Sequence, residues 1–326
     1  MYAGRRSTGI LLGIALLLVH AGASAQSRPS AIPRVGVLSP FVGSESLFFD
    51  ILRQRLHELG YTEGRNIAYV YRVAEDFDAL QRHARELVEM NVSVIVTAGP
   101  PGVRAARAAT KTIPIVMGNV GDALDQGFVD NLAKPSGNVT GLSTLNTELG
   151  AKRLALLKEA LPSVTRVAVL REAVGDVAPL RATEKAARTL GIALDVFQVR
   201  DADELPSAFH AMAAAHVTSL EILPSSLFVS QLRRIVEFAV RARIATIYPD
   251  DRFVRAGGLM SYGSDVADLY SRAAVYVSRI LKGARPADLP VEQPTTFVLA
   301  INVRAARDLG LTLPPSLLVR ADHVVQ

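Results

Sequence analysis

From Pro33 onward, short apolar runs alternate with stretches in which apolar residues recur every three or four positions. Arg34-Val35-Gly36-Val37-Leu38-Ser39 is rich in β-formers and bracketed by Pro33 and Pro40. Residues 48–59 then place Phe48, Ile51, Leu52, Leu56 and Leu59 at helical spacing, with Gly60 positioned to stop the helix. The same alternation predicts a strand over 67–71 and a helix over 78–90. Residues 92–97 (VSVIVT) form a nearly unbroken apolar run, the mark of a strand buried on both faces of a parallel sheet. A helix over 102–109 and strands over 113–117 and 139–142 complete the series. Strands and helices in this order predict a doubly wound parallel sheet.

The pattern then begins again. Arg166-Val167-Ala168-Val169-Leu170-Arg171 echoes residues 34–39 at an offset of 132, and three further strand patterns (219–224, 244–248 and 257–262) echo 93–98, 112–116 and 137–142 in the same order. Each echo alone is weak, because apolar strands resemble one another; their common order predicts two lobes of one architecture. Residues 266–281 form one long helical pattern, 286–294 a proline-interrupted extended segment, 297–301 a strand and 303–309 a helix. If this tail returns to the first lobe, the chain crosses between lobes more than once and the connection is a multi-strand hinge. The expected division is a leader over 1–25, a first lobe over 26–143 with a return of about 263–295, and a second lobe over 144–262 with about 296–326 near the hinge.

Length and composition fit this division. The 326 residues suit two domains of about 150 residues each. With no cysteine the chain has no disulfide framework, no thiolate-bound zinc or iron–sulfur cluster, no thiol nucleophile and no lipid-modified N-terminal cysteine. Lys and Arg number 36 against 31 Asp and Glu, without the local clustering that a nucleic-acid surface needs. Near the N-terminus, Arg5-Arg6 precedes an 11-residue apolar run at 9–19, and Ala23-Ser24-Ala25 supplies small residues before Gln26. This is the three-part pattern of a cleavable signal peptide; the run is too short, at about 16 Å, to cross a hydrocarbon core of about 30 Å. The expectation is a soluble, exported, periplasmic protein, without a choice between the general and twin-arginine routes. Export disfavours a cytosolic repressor or an enzyme drawing on ATP or NAD, and leaves a secreted hydrolase, a solute-binding protein or an envelope adaptor.

Several segments together resemble one family. They are ILRQRLHELGYTEG at 51–64, followed by Asn66-Ile67 and Tyr71-Arg72; TIPIV at 112–116; KPSGNVTG at 134–141; and ELGAKRL at 148–154. GGLMSYG at 257–263, ILKGARPADLPV at 280–291 and GLTLPPSLL at 310–318 complete the set. The chain is identified on these as resembling the ABC-transporter substrate-binding proteins of the tryptophan/tyrosine-type group. The resemblance implies a type I periplasmic-binding-protein fold that captures a small molecule between two lobes and presents it to a membrane permease. It specifies no ligand; an amino acid, another carboxylate or an aromatic compound all fit.

In open parallel sheets ligands gather at the carboxyl ends of the strands, so the residues just after each strand are the candidates. These are Ser39 and Phe41 after the first strand, Thr97, Ala98 and Gly99 after the third, and Asp122 after the fourth. The second lobe supplies Ser225, Ser226, Tyr248, Asp250 and Tyr262. The turn Thr97-Ala98-Gly99-Pro100-Pro101-Gly102 reads either as an anion site at a helix N-terminus or as a plain strand-to-helix turn. Asp122 is either an acceptor for a ligand amine or hydroxyl, or a helix cap, and Asp250 reads first as an N-cap. Tyr248 and Tyr262 either stack on a ligand or end buried strands. Family members resembling amino-acid binders carry an Asp-Asn type pair where this chain has Ser225-Ser226. Serines cannot neutralise an ammonium group, which counts against an amino-acid ligand unless Asp122 or Asp250 supplies the charge.

No G-x-S-x-G elbow, G-x-G-x-x-G or phosphate-binding loop occurs. His57, His83, His210, His216 and His323 are scattered without metal-ligand spacing. The reading is a monomeric, non-enzymatic solute-binding protein of an ABC importer, with no cofactor, metal or nucleic-acid partner. A periplasmic sensor for a membrane receptor, or a secreted hydrolase, are the alternatives.

Overall fold

The computed structural model describes Met1 and residues 32–40, 45–175 and 177–326; the expected leader over 1–25 and candidate Phe41 lie outside the described residues. The first lobe runs β1 (Arg34–Pro40), α1 (Glu45–Glu58), β2 (Ala68–Ala74), α2 (Phe77–Glu89), β3 (Val94–Thr97), α3 (Gly99–Ala109), β4 (Ile115–Gly121) and β5 (Val139–Thr144). The second begins with α4 (Asn146–Ala160), β6 (Arg166–Glu172), α5 (Ala178–Leu190), β7 (Ala193–Val199), α6 (Leu205–Ala214) and β8 (Ser219–Ile222). It continues with α7 (Ser226–Ser230), α8 (Leu232–Arg241), β9 (Ala245–Tyr248), α9 (Asp251–Arg255) and β10 (Met260–Ser264). After α10 (Val266–Leu281) come β11 (Phe297–Asn302), α11 (Val303–Asp308), α12 (Pro315–Val319) and β12 (His323–Val325).

The first sheet has the order β2-β1-β3-β4-β5 with every pair parallel. The second contains the same winding, β7-β6-β8-β9-β10, extended by β11 and β12. β1 and β6 are each seven residues long and 132 residues apart, so the sequence echo is a repeat of topology. Segment 296–326, expected with the second lobe, joins the second sheet directly after the third crossing. Phe297–Asn302 pairs antiparallel with β10 and β12 adds parallel to it, making an edge of the second sheet. The reason is direction: a chain returning from the first lobe after α10 enters the second sheet from the end at which β10 left it.

Both sheets are covered on both faces. In the first, Leu80, Leu87 and Val103 from α2 and α3 pack one side, while Leu52, Leu56, Leu269 and Tyr276 from α1 and α10 pack the other. α10 thus belongs to the first lobe although it follows β10 of the second. In the second lobe Leu154 and Leu157 of α4 cover one face and Phe209, Met212 and Ile235 of α6 and α8 the opposite one. None of the helices among the described residues is long and apolar enough to cross a membrane.

The chain crosses between lobes at 144–146, at 264–266 and again between Glu292 and Phe297. The third crossing lies along the first: Ser143 donates its N–H to the Glu292 carbonyl and Glu292 donates to that of Gly141, both at 2.9 Å. Behind the hinge Arg153 and Glu221 are both fully buried and paired at 3.1 Å, and Arg153 Nη1 also donates to the Tyr262 carbonyl. Burial pushes the Glu221 carboxyl up against the pull of Arg153. The pair ties α4, at the root of the first crossing, to β8, and the bond to the Tyr262 carbonyl ties it to β10, at the root of the second. Arg153→Met alone leaves a buried unpaired carboxylate and is expected to cost about 3–5 kcal/mol in urea unfolding, whereas Arg153→Met with Glu221→Leu should recover most of that loss.

Candidate functional site

The carboxyl ends of both sheets face one cleft, which encloses a cavity of about 260 Å³ lined from both lobes. Ser39, Ala98, Gly99, Asp122, Ser225, Ser226 and Asp250 line it. The lobes meet closely here: a methyl group on Gly99, which has φ +70°, would lie 2.4 Å from Ser226 Oγ. Only glycine combines that backbone angle with so close an approach.

Three candidates lie elsewhere. Thr97 is fully buried and its hydroxyl donates to the Leu38 carbonyl at 2.7 Å, so it locks β3 to β1 inside the first lobe. Tyr248 is also fully buried, stacked on Phe253 with ring centroids 4.8 Å apart. Tyr262 stacks on Phe297 across the β10–β11 pair. The cause is strand alternation: each side chain sits on the pleat face that turns into the core, and adjacency to a strand end does not override it. The strand expected over 113–117 runs instead from Ile115 to Gly121 as β4, which passes through a shift in register between Met117 and Val120.

The helix α3 begins at Gly99 with Ala98 as its N-cap, no side-chain cap bond and proline at its next two positions. Pro100 and Pro101 have no N–H, so the first three positions present only that of Gly99, and the helix end is a poor anion cradle.

Asp122 ends β4 with φ +44°, a conformation that aspartate tolerates better than most residues. Its Oδ2 accepts from Thr147 N at 3.1 Å and from Thr147 Oγ1 at 2.8 Å, which caps α4 across the first crossing. Asp250 caps α9 through Arg252 N at 2.9 Å and forms a two-pronged ion pair with the Arg252 guanidinium. Ser225 caps α7 and donates its hydroxyl to Glu172 Oε2 at 2.6 Å.

The cavity also takes Phe48, Phe77 and Tyr270 from the first lobe, and Asn146, Arg171 and Glu172 from the second. Phe48 packs on Tyr270 with centroids 4.4 Å apart. Burial raises the Glu172 carboxyl above the usual carboxylate range, against the Ser225 hydrogen bond and the positive charges of Arg104 and Arg171. The repeat contained a signal for the last two: at the offset of 132 that relates β1 to β6, Ser39-Pro40 corresponds to Arg171-Glu172. Phe48 and Tyr270 gave no comparable signal, because each reads as an ordinary apolar position of a helix.

Residues 42–325 match the sequence profile of the family described as ABC transporter substrate binding protein. A tyrosine-binding protein of Clostridioides difficile is 27% identical over 260 residues, 78% of this chain and 74% of that protein. An ABC domain from Streptococcus pneumoniae solved in complex with L-Trp superposes with a TM-score of 0.83 at 26% identity, covering 90% of this chain and 99% of that one. A conserved domain protein of Vibrio cholerae gives 0.82 at 30% identity with the same coverage. At lower identity the fold extends to a periplasmic binding protein of Burkholderia mallei, with a TM-score of 0.56 at 12% identity over 78% of this chain and 80% of that one. The fold is of the type I periplasmic-binding-protein kind.

Asp122→Ala removes the Thr147 cap and should lower stability by about 1–2 kcal/mol in urea unfolding, while Asp122→Asn, which keeps an acceptor oxygen and tolerates positive φ, should lose less than half of that.

Proposed function

The chain belongs to the ABC transporter substrate-binding protein family, and on that premise we propose that it is the extracytoplasmic receptor of an importer. It takes one small molecule into the interlobe cavity, closes about the three crossings, and delivers the solute to a membrane permease that reads the closed form. It acts as a monomer and carries out no chemistry on the solute. Residues 1–25 direct it to the periplasm and are removed, and the absence of cysteine leaves no site for a lipid anchor.

One observation carries this reading: the cavity is walled by residues from both lobes at the carboxyl ends of both sheets. A ligand there touches both walls only when the lobes are together, so its binding energy favours the closed state over the open one. The walls are also complementary. The aromatic lining residues, Phe48, Phe77 and Tyr270, come from the first lobe, whereas Glu172, Arg171, Ser225 and Ser226 come from the second. A solute with an apolar body and a polar head bridges them. The tyrosine and tryptophan named for two relatives are of that kind and support an amino-acid-sized ligand.

The test is a thermal-shift screen of the mature protein against amino acids, aromatic acids, sugars and nucleosides, followed by a distance measurement between the lobes. A bound ligand at 100 times its Kd should add about 2.7 kcal/mol of stability. Because the native chain has no cysteine, dyes on Asp78→Cys and Asp203→Cys, one exposed site in each lobe, report closure directly. Energy transfer should rise with ligand, and in a Gly99→Ala background the rise should need at least about tenfold more ligand, since the added methyl meets Ser226. Turnover of the ligand, or binding with no change in transfer, would overturn the receptor reading.

A further inference from the structure

The face of the first sheet beneath α1 and α10 is built from Val35, Val37, Val94, Val96, Val116 and Leu142. Gly118 continues this face two residues beyond Val116 in β4, where the sheet reaches the cleft. Its φ is not positive, so the backbone does not require glycine there. The space above it does. A methyl group on Gly118 would lie 3.2 Å from Phe48 Cε2, 3.4 Å from Phe48 Cζ and 3.5 Å from Tyr270 Cδ1. The first two are closer than carbon atoms pack at their optimum, and a glycine inside a strand marks such a close approach.

Phe48 and Tyr270 both line the cavity, whereas Gly118 does not reach it. The rings are pressed together, with centroids 4.4 Å apart, so a push on Phe48 passes to Tyr270. Neither ring has room to retreat from the sheet. Leu52, Leu269, Ala273 and Ala274 in the helix layer behind them are fully buried, and a close-packed layer yields little to an added methyl. The Tyr270 hydroxyl shares a hydrogen bond with the Asn119 side chain, which anchors the outer end of that ring on β4. The open side is the cavity itself, so the depth of its aromatic wall is set from beneath.

We propose that Gly118 is a positioning residue that sets the size of ligand the cleft accepts, by letting the Phe48–Tyr270 pair sit down on β4; this rests on the cleft being the ligand site. A side chain at 118 would take its volume from the cavity, which holds only about 260 Å³. A loss of that order discriminates between neighbouring ligand sizes, since one methylene more or less in an apolar pocket is worth about 10- to 200-fold. Gly118 acts through the two rings and touches no ligand itself.

Isothermal titration with two graded sets of probes tests this. One is L-alanine, L-leucine, L-phenylalanine and L-tryptophan; the other is acetate, phenylacetate and indole-3-acetate. Gly118→Ala should cost the largest member that wild type binds about tenfold more affinity than it costs the next smaller member of that set. Phe48→Leu clears the space above Gly118 and should shift the preference towards larger members, or admit the next larger one. In the Phe48→Leu background, Gly118→Ala should then move the preference less than about threefold, because the ring atoms it meets are gone. Equal losses for every size, or an undiminished effect in that background, would mark general damage to the lobe and overturn the proposal. An unchanged preference in Phe48→Leu alone would overturn it as well, as would binding confined to the smallest member of each set. Silence of both sets beside a bound sugar or nucleoside would overturn it and leave the receptor reading intact. Silence throughout would remove both.

Discussion

The structure depends on three chain crossings that lie side by side at one edge of each lobe. Hydrogen bonds between Gly141, Ser143 and Glu292 hold the first and third together. The Thr140 hydroxyl adds a bond to the Leu289 carbonyl. The ion pair of Arg153 with Glu221, and the bond from Arg153 to the Tyr262 carbonyl, join the roots of the first and second crossings inside the second lobe. A single linker would permit any relative motion. Three adjacent ones leave mainly rotation, and rotation about that edge opens or shuts the space between the strand ends.

That mechanical constraint explains the division of labour across the cleft. The first lobe contributes aromatic rings, with Phe48 and Tyr270 packed together by α1 and α10. The second contributes the polar groups at the end of β6 and the start of α7. Neither wall alone encloses the cavity, so both lobes together are needed to surround what fills it. The buried pair of Asp250 with Arg252 and the cap from Asp122 to Thr147 are internal to the scaffold. They keep α9 and α4 in place and hold charge that is already spent.

The repeat between the lobes is one of topology, and its two copies have diverged where the cleft is built. β1 ends in Ser39-Pro40 and β6 in Arg171-Glu172, at corresponding positions. The same strand end is therefore uncharged in the first lobe and carries both signs of charge in the second. α10 and the β11–β12 edge then break the symmetry, since the former packs back on the first lobe and the latter widens the second sheet.

Periodicity and strand order made the two lobes, their parallel winding and the returning long helix legible from residues alone, because burial on one or both faces writes a local pattern into each element. Strand ends could likewise be read, which found Ser39, Ala98, Gly99, Asp122, Ser225, Ser226 and Asp250 at the cleft. What remained hidden was the direction of each side chain at those ends. Thr97, Tyr248 and Tyr262 differ from their cleft-lining neighbours only by which face of the pleat they occupy, and a one-residue change in where a strand stops reverses that face. The charges of Asp122, Asp250, Arg171 and Glu172 look equivalent in a sequence. Only folding, by bringing Thr147 to the first and Arg252 to the second, decided which of these charges are paired within the scaffold, because pairing is a property of distance in space and not of position along the chain.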